Sequence, residues 1–414
     1  VNKPQNVQRR DGVLHGLTVY LVGGAVRDRL LGMRSGDRDW VVVGSTPEAM
    51  LARGFIAVGR DFPVFLHPQS HEEYALARTE RKSGRGYRGF TVYAAPDVTL
   101  AQDLARRDLR INALAAPPDW TGEEDRVIDP LGGLQDLRAR RLHHAGSAFA
   151  EDPVRVLRVA RFAARFGDFS VAPQTLHLMR AMVQAGDMAD LVPERVWQEI
   201  GRGLMQPHPA RLLHTLGACG ALAALLPELG SLQRVLWDGA TDADPALRAL
   251  TRAARQQADL PVRYACLLHT LGPQEASEVG ARWRVPAACR EAADIVLREG
   301  GNIARAATLD AEAMLHLFER CDALRRPARF ARALLACACA HGGNNGNDTM
   351  PEMPHGHPRL LAALAAARNV DGAAIARHAA RGGQTGAAPG GAIGAAIRAA
   401  RLQALRSTLD PAKP

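Results

Sequence analysis

The segment Leu21–Gly44, LVGGAVRDRLLGMRSGDRDWVVVG, combines residue types that chemistry on phosphates needs. Gly23-Gly24 reads as a turn that opens a helix carrying Arg27. Bare glycine backbone admits an anion closely, and the amides of a helix N-terminus favour it. One short loop later, Asp37 and Asp39 flank Arg38 and lead into Trp40 and the β-branched run Val41–Val43. Strand residues two apart share a face, so both carboxylates are expected on one side, able to hold a hard divalent cation. Mg²⁺ prefers such oxygen ligands and keeps substrate phosphates in its remaining positions. Gly-Gly is common and so is Asp-x-Asp; the order of turn, helix and Asp-x-Asp on a strand carries the reading.

Two later segments add cations. Arg106–Leu114, RRDLRINAL, sets Arg106 and Arg107 side by side ahead of Asp108 and Asn112. Guanidinium forks suit triphosphate oxygens; Asp108 can orient an arginine, and Asn112 can reach a sugar or a backbone group. Taken alone, the segment also fits an exposed charged turn. Glu151–Phe166, EDPVRVLRVARFAARF, places Asp152 and Pro153 at a helix start. At about 100° per residue, Arg155, Arg158 and Arg161 sweep one side, and Val156, Leu157, Ala160, Ala163 and Ala164 the other. A solvated basic face is the bland alternative. Against it, Asp152 sits a turn upstream of Arg155 and makes a mixed acceptor and donor edge.

Such an edge can choose a base. Cytosine and adenine each offer an amino donor beside a ring-nitrogen acceptor, and uracil and guanine offer a carbonyl beside a ring N–H. A carboxylate only accepts and an arginine only donates, so Asp152 and Arg155 would admit CTP and ATP and refuse UTP and GTP. A mismatch leaves buried polar groups unpaired, at about 1–3 kcal/mol each.

These residues need a scaffold of two textures. Thr18–Val22, Trp40–Val43, Phe55–Val58, Val64–Leu66 and Tyr74–Ala77 read as short strands, and Arg81–Gly89, RKSGRGYRG, as a mobile loop. From about residue 150 helical patterns dominate. The fold class expected is α+β: an N-terminal mixed-sheet head followed by an all-helical neck, body and tail. The divisions expected are a disordered extension over 1–16, a head over 17–150, a neck over 151–205, a body over 206–340, a linker over 341–358 and a tail over 359–414. His355 and His357 in the linker are expected to face solvent, and the Gly/Ala-rich stretch Arg381–Ala396 is not expected to be reliably helical. The 414 residues carry a formal charge of +9, which suits a polyanionic partner. Six cysteines without a Cys-x-x-Cys pair suggest reduced, buried thiols in a cytoplasmic protein. No stretch approaches the roughly 18 apolar residues of a membrane span.

The combined motifs resemble the DNA polymerase β-like nucleotidyltransferase head and, more narrowly, the bacterial class II CCA-adding enzymes. The resemblance runs from Val19 to at least Trp197 and more loosely beyond. Bacterial poly(A) polymerases share the Gly-Gly-x-Val-Arg-Asp, Asp-x-Asp, Arg-Arg-Asp and Glu-Asp-Pro-x-Arg elements. Val58–Phe90, VGRDFPVFLHPQSHEEYALARTERKSGRGYRGF, is similar to the CCA-adding branch. The resemblance implies that Gly24 and Arg27 contact the nucleotide, that Asp37 and Asp39 hold Mg²⁺, and that Arg107, Asp152, Arg155, Arg158 and Arg161 complete the nucleotide site. Arg81–Gly89 matches a flexible head loop, and Pro193–Glu199, PERVWQE, a neck motif of structural role. Glu72, Glu73 or Glu80 could supply a third carboxylate.

The activity so implied is addition and repair of the 3′-terminal CCA of tRNA from CTP and ATP, with the acceptor and T arms held by the helical body through backbone and shape. The rivals are a poly(A) polymerase, a partial CC- or A-adding enzyme, and a silent RNA-binding protein on the same head, against which the intact Asp37, Asp39, Arg107 and Asp152 argue. Many relatives carry a C-terminal His-Asp phosphohydrolase domain. Here Leu267–Pro273, LLHTLGP, has Thr270 in place of the aspartate, and His269 is the only histidine from Ser231 to Gly300. That domain is expected to be degenerate or absent, with His269 a packed or surface residue.

Overall fold

A computed structural model of the chain describes residues 12–34, 36–58, 63–82, 90–230, 232, 244–341, 356–382 and 390–409. It has two compact units, Val1–Gly203 with Arg211–Leu225, and Leu204–Ala210 with Leu226–Pro414.

The first unit is built on a mixed sheet. Its strands are β1 (Thr18–Val22), β2 (Asp39–Val43), β3 (Ile56–Ala57), β4 (Val64–Leu66), β5 (Glu73–Leu76) and β8 (Ala115–Ala116), in the order β3-β4-β5-β2-β1-β8. Only β2 and β5 run parallel, with Asp39 opposite Glu73; the other neighbours are antiparallel. Alternation along the strands sends Val22, Val41 and Ala115 into a core with Val98 and Leu104. A separate hairpin pairs β6 (Thr79–Lys82) with β7 (Phe90–Tyr93). This corrects the expected loop: Arg81 and Lys82 are strand residues opposite Thr91 and Phe90, because a ladder supplies backbone partners that polar composition does not reveal. Residues 83–89 lie outside the described residues.

The helices of this unit begin with α1 (Gly24–Leu30), α2 (Pro47–Ala52), α3 (Leu100–Ala105) and α4 (Gly133–Arg138). They continue with α5 (Val154–Arg165), α6 (Pro173–Gln184), α7 (Pro193–Leu204), α8 (Ala210–Ala218) and α9 (Ala221–Leu225). α5 starts directly after Pro153 and buries Val156, Leu157, Ala160, Ala163 and Ala164, the face its periodicity gives. The N-terminal segment is also corrected in part. Gly12–Gly16 forms turns, and the Arg53 guanidinium donates to the Val13 and His15 carbonyls at 3.1 and 2.7 Å.

The second unit is helical: α10 (Pro245–Arg255), α11 (Leu260–Leu268), α12 (Pro273–Arg282), α13 (Ala287–Ala304), α14 (Ala311–Arg320) and α15 (Pro327–His341), then α16 (Gly356–Arg368), α17 (Gly372–Gly382) and α18 (Gly390–Leu409). Tyr264, Phe318 and Phe330 are among its fully buried side chains. All six cysteines of the chain are free and buried, and burial pushes the Cys289 thiol up to about 11. Buried Arg263 donates to the Leu204 and Gln206 carbonyls at 2.7 and 2.9 Å, satisfying acceptors left open at a helix end.

Two expectations fail in this unit. His357 is fully buried, with neither ring nitrogen bonded, instead of facing solvent. It belongs to the first turn of α16, where Pro358 is tolerated, and the turn carries it inward. His355 lies outside the described residues. The expected loss of helix over Arg381–Ala396 is also too broad, since α18 already includes Gly390–Ala396. Intrinsic propensity is a weak prior, and tertiary context overrides it. Residues 383–389 lie outside the described residues. No described helix is long and apolar enough to cross a membrane.

Candidate active site

A cleft of about 590 Å³ opens in the first unit. Its lining includes Gly24, Arg27, Asp39, Arg107, Asp152, Arg155, Arg158 and Arg161. Eight of the nine residues singled out from the sequence are thus gathered in one cavity. The ninth, Asp37, lines an adjoining recess of about 420 Å³, which shares Asp39 and Glu73 with the cleft.

The glycine turn is shaped by its neighbour. Gly23 takes φ +72°, a left-handed value that suits glycine, and a Cβ there would stand 2.9 Å from Arg107 Nη1. Gly23 also donates its N–H to the Leu114 carbonyl at 3.0 Å, tying the turn to the RRDLRINAL segment.

Asp39 is the first residue of β2, whereas Asp37 lies just ahead of the strand. The strand-alternation argument therefore reaches Asp39 alone. Burial raises Asp39 above the usual carboxylate range, the Arg107 charge opposes this, and the Glu73 and Asp37 charges add to it. Glu72 is already engaged: Arg38 Nε donates to it at 2.7 Å and Trp40 Nε1 at 3.0 Å. Of the candidate third carboxylates, Glu73 stands in register with Asp39 and lines both cavities; the Glu80 side chain lies outside the described residues. Among the described residues, no three His, Cys, Asp or Glu side chains form a ready metal cage.

The cationic side is held by buried acids. Asp103, fully buried, pairs with Arg106 at 2.7 Å and Arg107 at 3.3 Å. Burial raises its pKa, but the two arginines outweigh this and the net shift is downward. Asp108 accepts from Leu109 N and Asn112 Nδ2 on one oxygen and from Arg158 Nε on the other, each at 2.8 Å. Burial again opposes ionisation, and Arg158 with these hydrogen bonds brings Asp108 well below the usual carboxylate range. Glu199 of α7 accepts from Arg161 Nε at 2.6 Å and stands 3.7 Å from Arg158. Asn112 lines the cleft and bridges Arg27 and Asp108.

Arg27 is only 3% exposed. Its Nε donates to Asp28 at 2.8 Å, Nη1 donates to Asn112, and the guanidinium lies 5.2 Å from both the Phe162 and Phe166 ring centroids. Asp28 also takes Arg165 Nη2 at 2.7 Å, so it clamps α1 to α5. Arg27 forms cleft wall while tied to the protein through three different side-chain types.

Asp152 and Arg155 meet at the start of α5. Arg155 Nη1 donates to the Ala148 carbonyl at 2.8 Å. Asp152 is gripped by Arg195 of α7 through two N–H···O bonds, at 3.1 and 2.8 Å. Sequence reasoning missed Asp28, Asp103, Arg165, Arg195 and Glu199. Arg195 and Glu199 lie inside PERVWQE, so their signal was present as opposite charges four residues apart on one helix.

Two known families match parts of the chain: the poly A polymerase head domain over residues 19–143, and the probable RNA and SrmB-binding site of polymerase A over residues 168–232. The multifunctional CCA protein of Paracidovorax citrulli is 56% identical, covering 89% of this chain and 93% of its own. That of Acidovorax ebreus is 53% identical, covering 96% and 98%. Among solved structures, the Bacillus stearothermophilus CCA-adding enzyme in complex with CTP is similar at TM-score 0.68 and 26% identity, over 94% of this chain and 90% of that one.

Proposed function

Because the chain belongs to the multifunctional CCA proteins, we propose that the cleft is its nucleotidyltransferase site, with Asp37 and Asp39 at the reacting phosphate and Asp152 and Arg155 at the base. The enzyme adds and repairs the 3′-terminal CCA of tRNA, using CTP and ATP and no nucleic-acid template. The observation that carries the site assignment is one cavity lined by Asp39 and Glu73, by nine arginines, and by the acceptor–donor pair Asp152 and Arg155.

In the reaction the tRNA 3′-oxygen bonds to the α-phosphorus, the bond from that phosphorus to the β-phosphate oxygen breaks, and pyrophosphate leaves. The hydroxyl proton passes to solvent. Arg107 presents its fork to the triphosphate beside Gly23, where the absence of a side chain leaves room. Arg158 and Arg161, braced by Asp108 and Glu199, add positive potential on the same wall. Arg27 stiffens the turn that carries Gly24.

The donor set suits Mg²⁺. Asp37 and Asp39 are hard oxygen donors, Glu73 adds negative charge beside Asp39, and nucleotide phosphates complete such a coordination sphere. Asp37 and Asp39 would hold the ion, which when bound would supply activation of the attacking hydroxyl and charge neutralisation for the departing pyrophosphate.

We propose further that the second unit acts as scaffold and tRNA-binding surface, holding the acceptor and T arms, without phosphohydrolase chemistry. Thr270 follows His269, whose Nδ1 is committed to the Cys266 carbonyl at 2.8 Å. Reduced, buried thiols and a tRNA substrate support a cytoplasmic location.

The test is tRNA lacking CCA, incubated with purified enzyme and each nucleotide singly and together, with products resolved to one nucleotide. CTP alone should add two residues, ATP should then add one, and UTP and GTP should add almost none. An ATP tail grown without CTP would mark a poly(A) polymerase. A stop after two residues with both nucleotides, or a requirement for tRNA already ending in CC, would mark a partial activity.

A further inference from the structure

Asp152 has a partner outside its own motif, and that partner takes up most of its accepting capacity. Arg195 stands on α7 and reaches Asp152 with both prongs, Nη1 to Oδ1 at 3.1 Å and Nη2 to Oδ2 at 2.8 Å. The Val154 amide donates to Oδ1 as well, at 3.1 Å. An ionised carboxylate offers about four lone-pair positions, two on each oxygen. Oδ1 thus has both positions used and Oδ2 has one used. Among the described residues, one acceptor position stays open, and it is on Oδ2. Asp152 lines the cleft with 15% of its side chain exposed, so a nucleobase can reach that position.

We infer that Arg195 is a specificity-determining positioning residue, whose fork fixes Asp152 so that Oδ2 alone accepts the amino group of the incoming base. The inference rests on the reading of Asp152 as the base-facing group and deepens it. A free carboxylate turns about its terminal bond and can swap its oxygens. A guanidinium gripping both oxygens in a plane removes that freedom. The amino group of cytosine or adenine then meets a fixed lone pair, while the carbonyl of uracil or guanine meets the same lone pair as a repulsion.

The placement of Arg195 supports an orienting role. One turn along α7, Glu199 pairs with Arg161 and approaches Arg158. The helix thus sets a cation against the reading carboxylate and an anion against the arginines of α5. With side-chain exposures of 27% for Arg195 and 15% for Asp152, the pair is partly open to solvent, which limits what it adds to stability. Its two-pronged geometry is better suited to direction than to holding the fold.

The test uses the full-length enzyme and tRNA lacking CCA, with kcat/KM for CTP and for UTP measured on wild type, Arg195→Ala, Arg195→Lys, Asp152→Ala and the double variant Asp152→Ala with Arg195→Ala. Arg195→Ala should lower the CTP to UTP ratio about tenfold, the size of one well-placed charge-assisted hydrogen bond. Its thermal midpoint should stay near that of wild type. Arg195→Lys keeps the charge but not the fork, so its ratio should stay near that of Arg195→Ala. The double variant should show the same ratio as Asp152→Ala, because on this inference the effect of Arg195 on base choice runs through that carboxylate. If Asp152→Ala relaxes the ratio while Arg195→Ala and Arg195→Lys keep the wild-type value, Arg195 is not a determinant. Additive losses in the double variant would likewise overturn the inference by showing an independent effect. If Asp152→Ala itself leaves the ratio unchanged, the base-facing reading fails first.

Discussion

The two edges of the cleft are built on opposite electrostatic plans. At the Asp37, Asp39 and Glu73 edge, burial raises Asp39 above the usual carboxylate range, and the like charges of Glu73 and Asp37 add to the effect. At the α5 edge, acids and arginines are matched: Asp152 with Arg195, Asp108 with Arg158, Glu199 with Arg161. The first edge gains from an added cation, whereas at the second each of these acids already has an arginine partner and its geometry is set. A nucleotidyltransferase that must accept two bases and refuse two benefits from this split. On the proposed assignment, chemistry common to every addition would sit where a metal can be recruited, and base selection would sit among side chains that already have their partners.

The largest effect should come from the acidic edge. Asp37→Ala or Asp39→Ala removes a metal contact worth roughly 3–4 kcal/mol, about 10²–10³ in rate. The loss should be equal for CTP and ATP, with tRNA binding retained in a filter or mobility assay. Near-normal turnover in either variant would dissolve the contrast between the edges.

Next in size is Asp108→Asn, which breaks a buried pair whose arginine is one-third exposed. We expect about 2 kcal/mol of lost stability by chemical denaturation, less than for a fully buried pair. The pH dependence has a defined sign. Because the folded-state pKa of Asp108 lies below its unfolded value, its contribution is complete above about pH 4 and is lost as pH falls further. The variant should therefore show a flatter acid limb than wild type. An unchanged limb would mean that Asp108 does not brace Arg158 in solution.

Smaller changes should separate base from phosphate. Arg155→Ala should relax discrimination against UTP and GTP about tenfold with modest change in overall nucleotide affinity. Arg107→Ala should weaken all four nucleotides alike and keep base preference. Equal affinity losses with preference intact in both variants would remove the division of labour. The smallest effect expected is none: His269→Ala should not alter hydrolysis of 2′,3′-cyclic phosphates with added Ni²⁺, Co²⁺ or Mn²⁺. A metal-dependent phosphodiesterase activity present in wild type and lost in this variant would show a second catalytic centre.

Sequence reasoning reached the parts of this design that local rules govern. The strands around Val22 and Val41 follow from β-branched runs between turns, and the apolar face of α5 follows from a 3.6-residue period. The cleft residues were legible because phosphate and base chemistry restrict which side chains can serve. Pairing at a distance was not legible. Nothing near Asp28 announces Arg165, 137 residues away, and nothing near Asp152 announces Arg195. Arg27 was legible as a cleft residue, but its enclosure by Phe162, Phe166, Asp28 and Asn112 was not, because these groups meet only in the fold. His357 looked exposed because its neighbours are polar and glycine-rich, but the start of α16 decides its direction. The strand Thr79–Lys82 was hidden by the basic, glycine-rich composition of residues 81–89.

The central claim is that catalysis and base choice are separable at Asp39 and Asp152. Single-turnover kcat/KM for CTP and UTP, measured on tRNA lacking CCA for wild type, Asp39→Ala and Asp152→Ala, tests it most directly. Asp39→Ala is predicted to slow both nucleotides by one factor and leave their ratio intact, whereas Asp152→Ala should collapse the ratio and cost far less rate with CTP. A changed ratio in Asp39→Ala, or an unchanged one in Asp152→Ala, would contradict it.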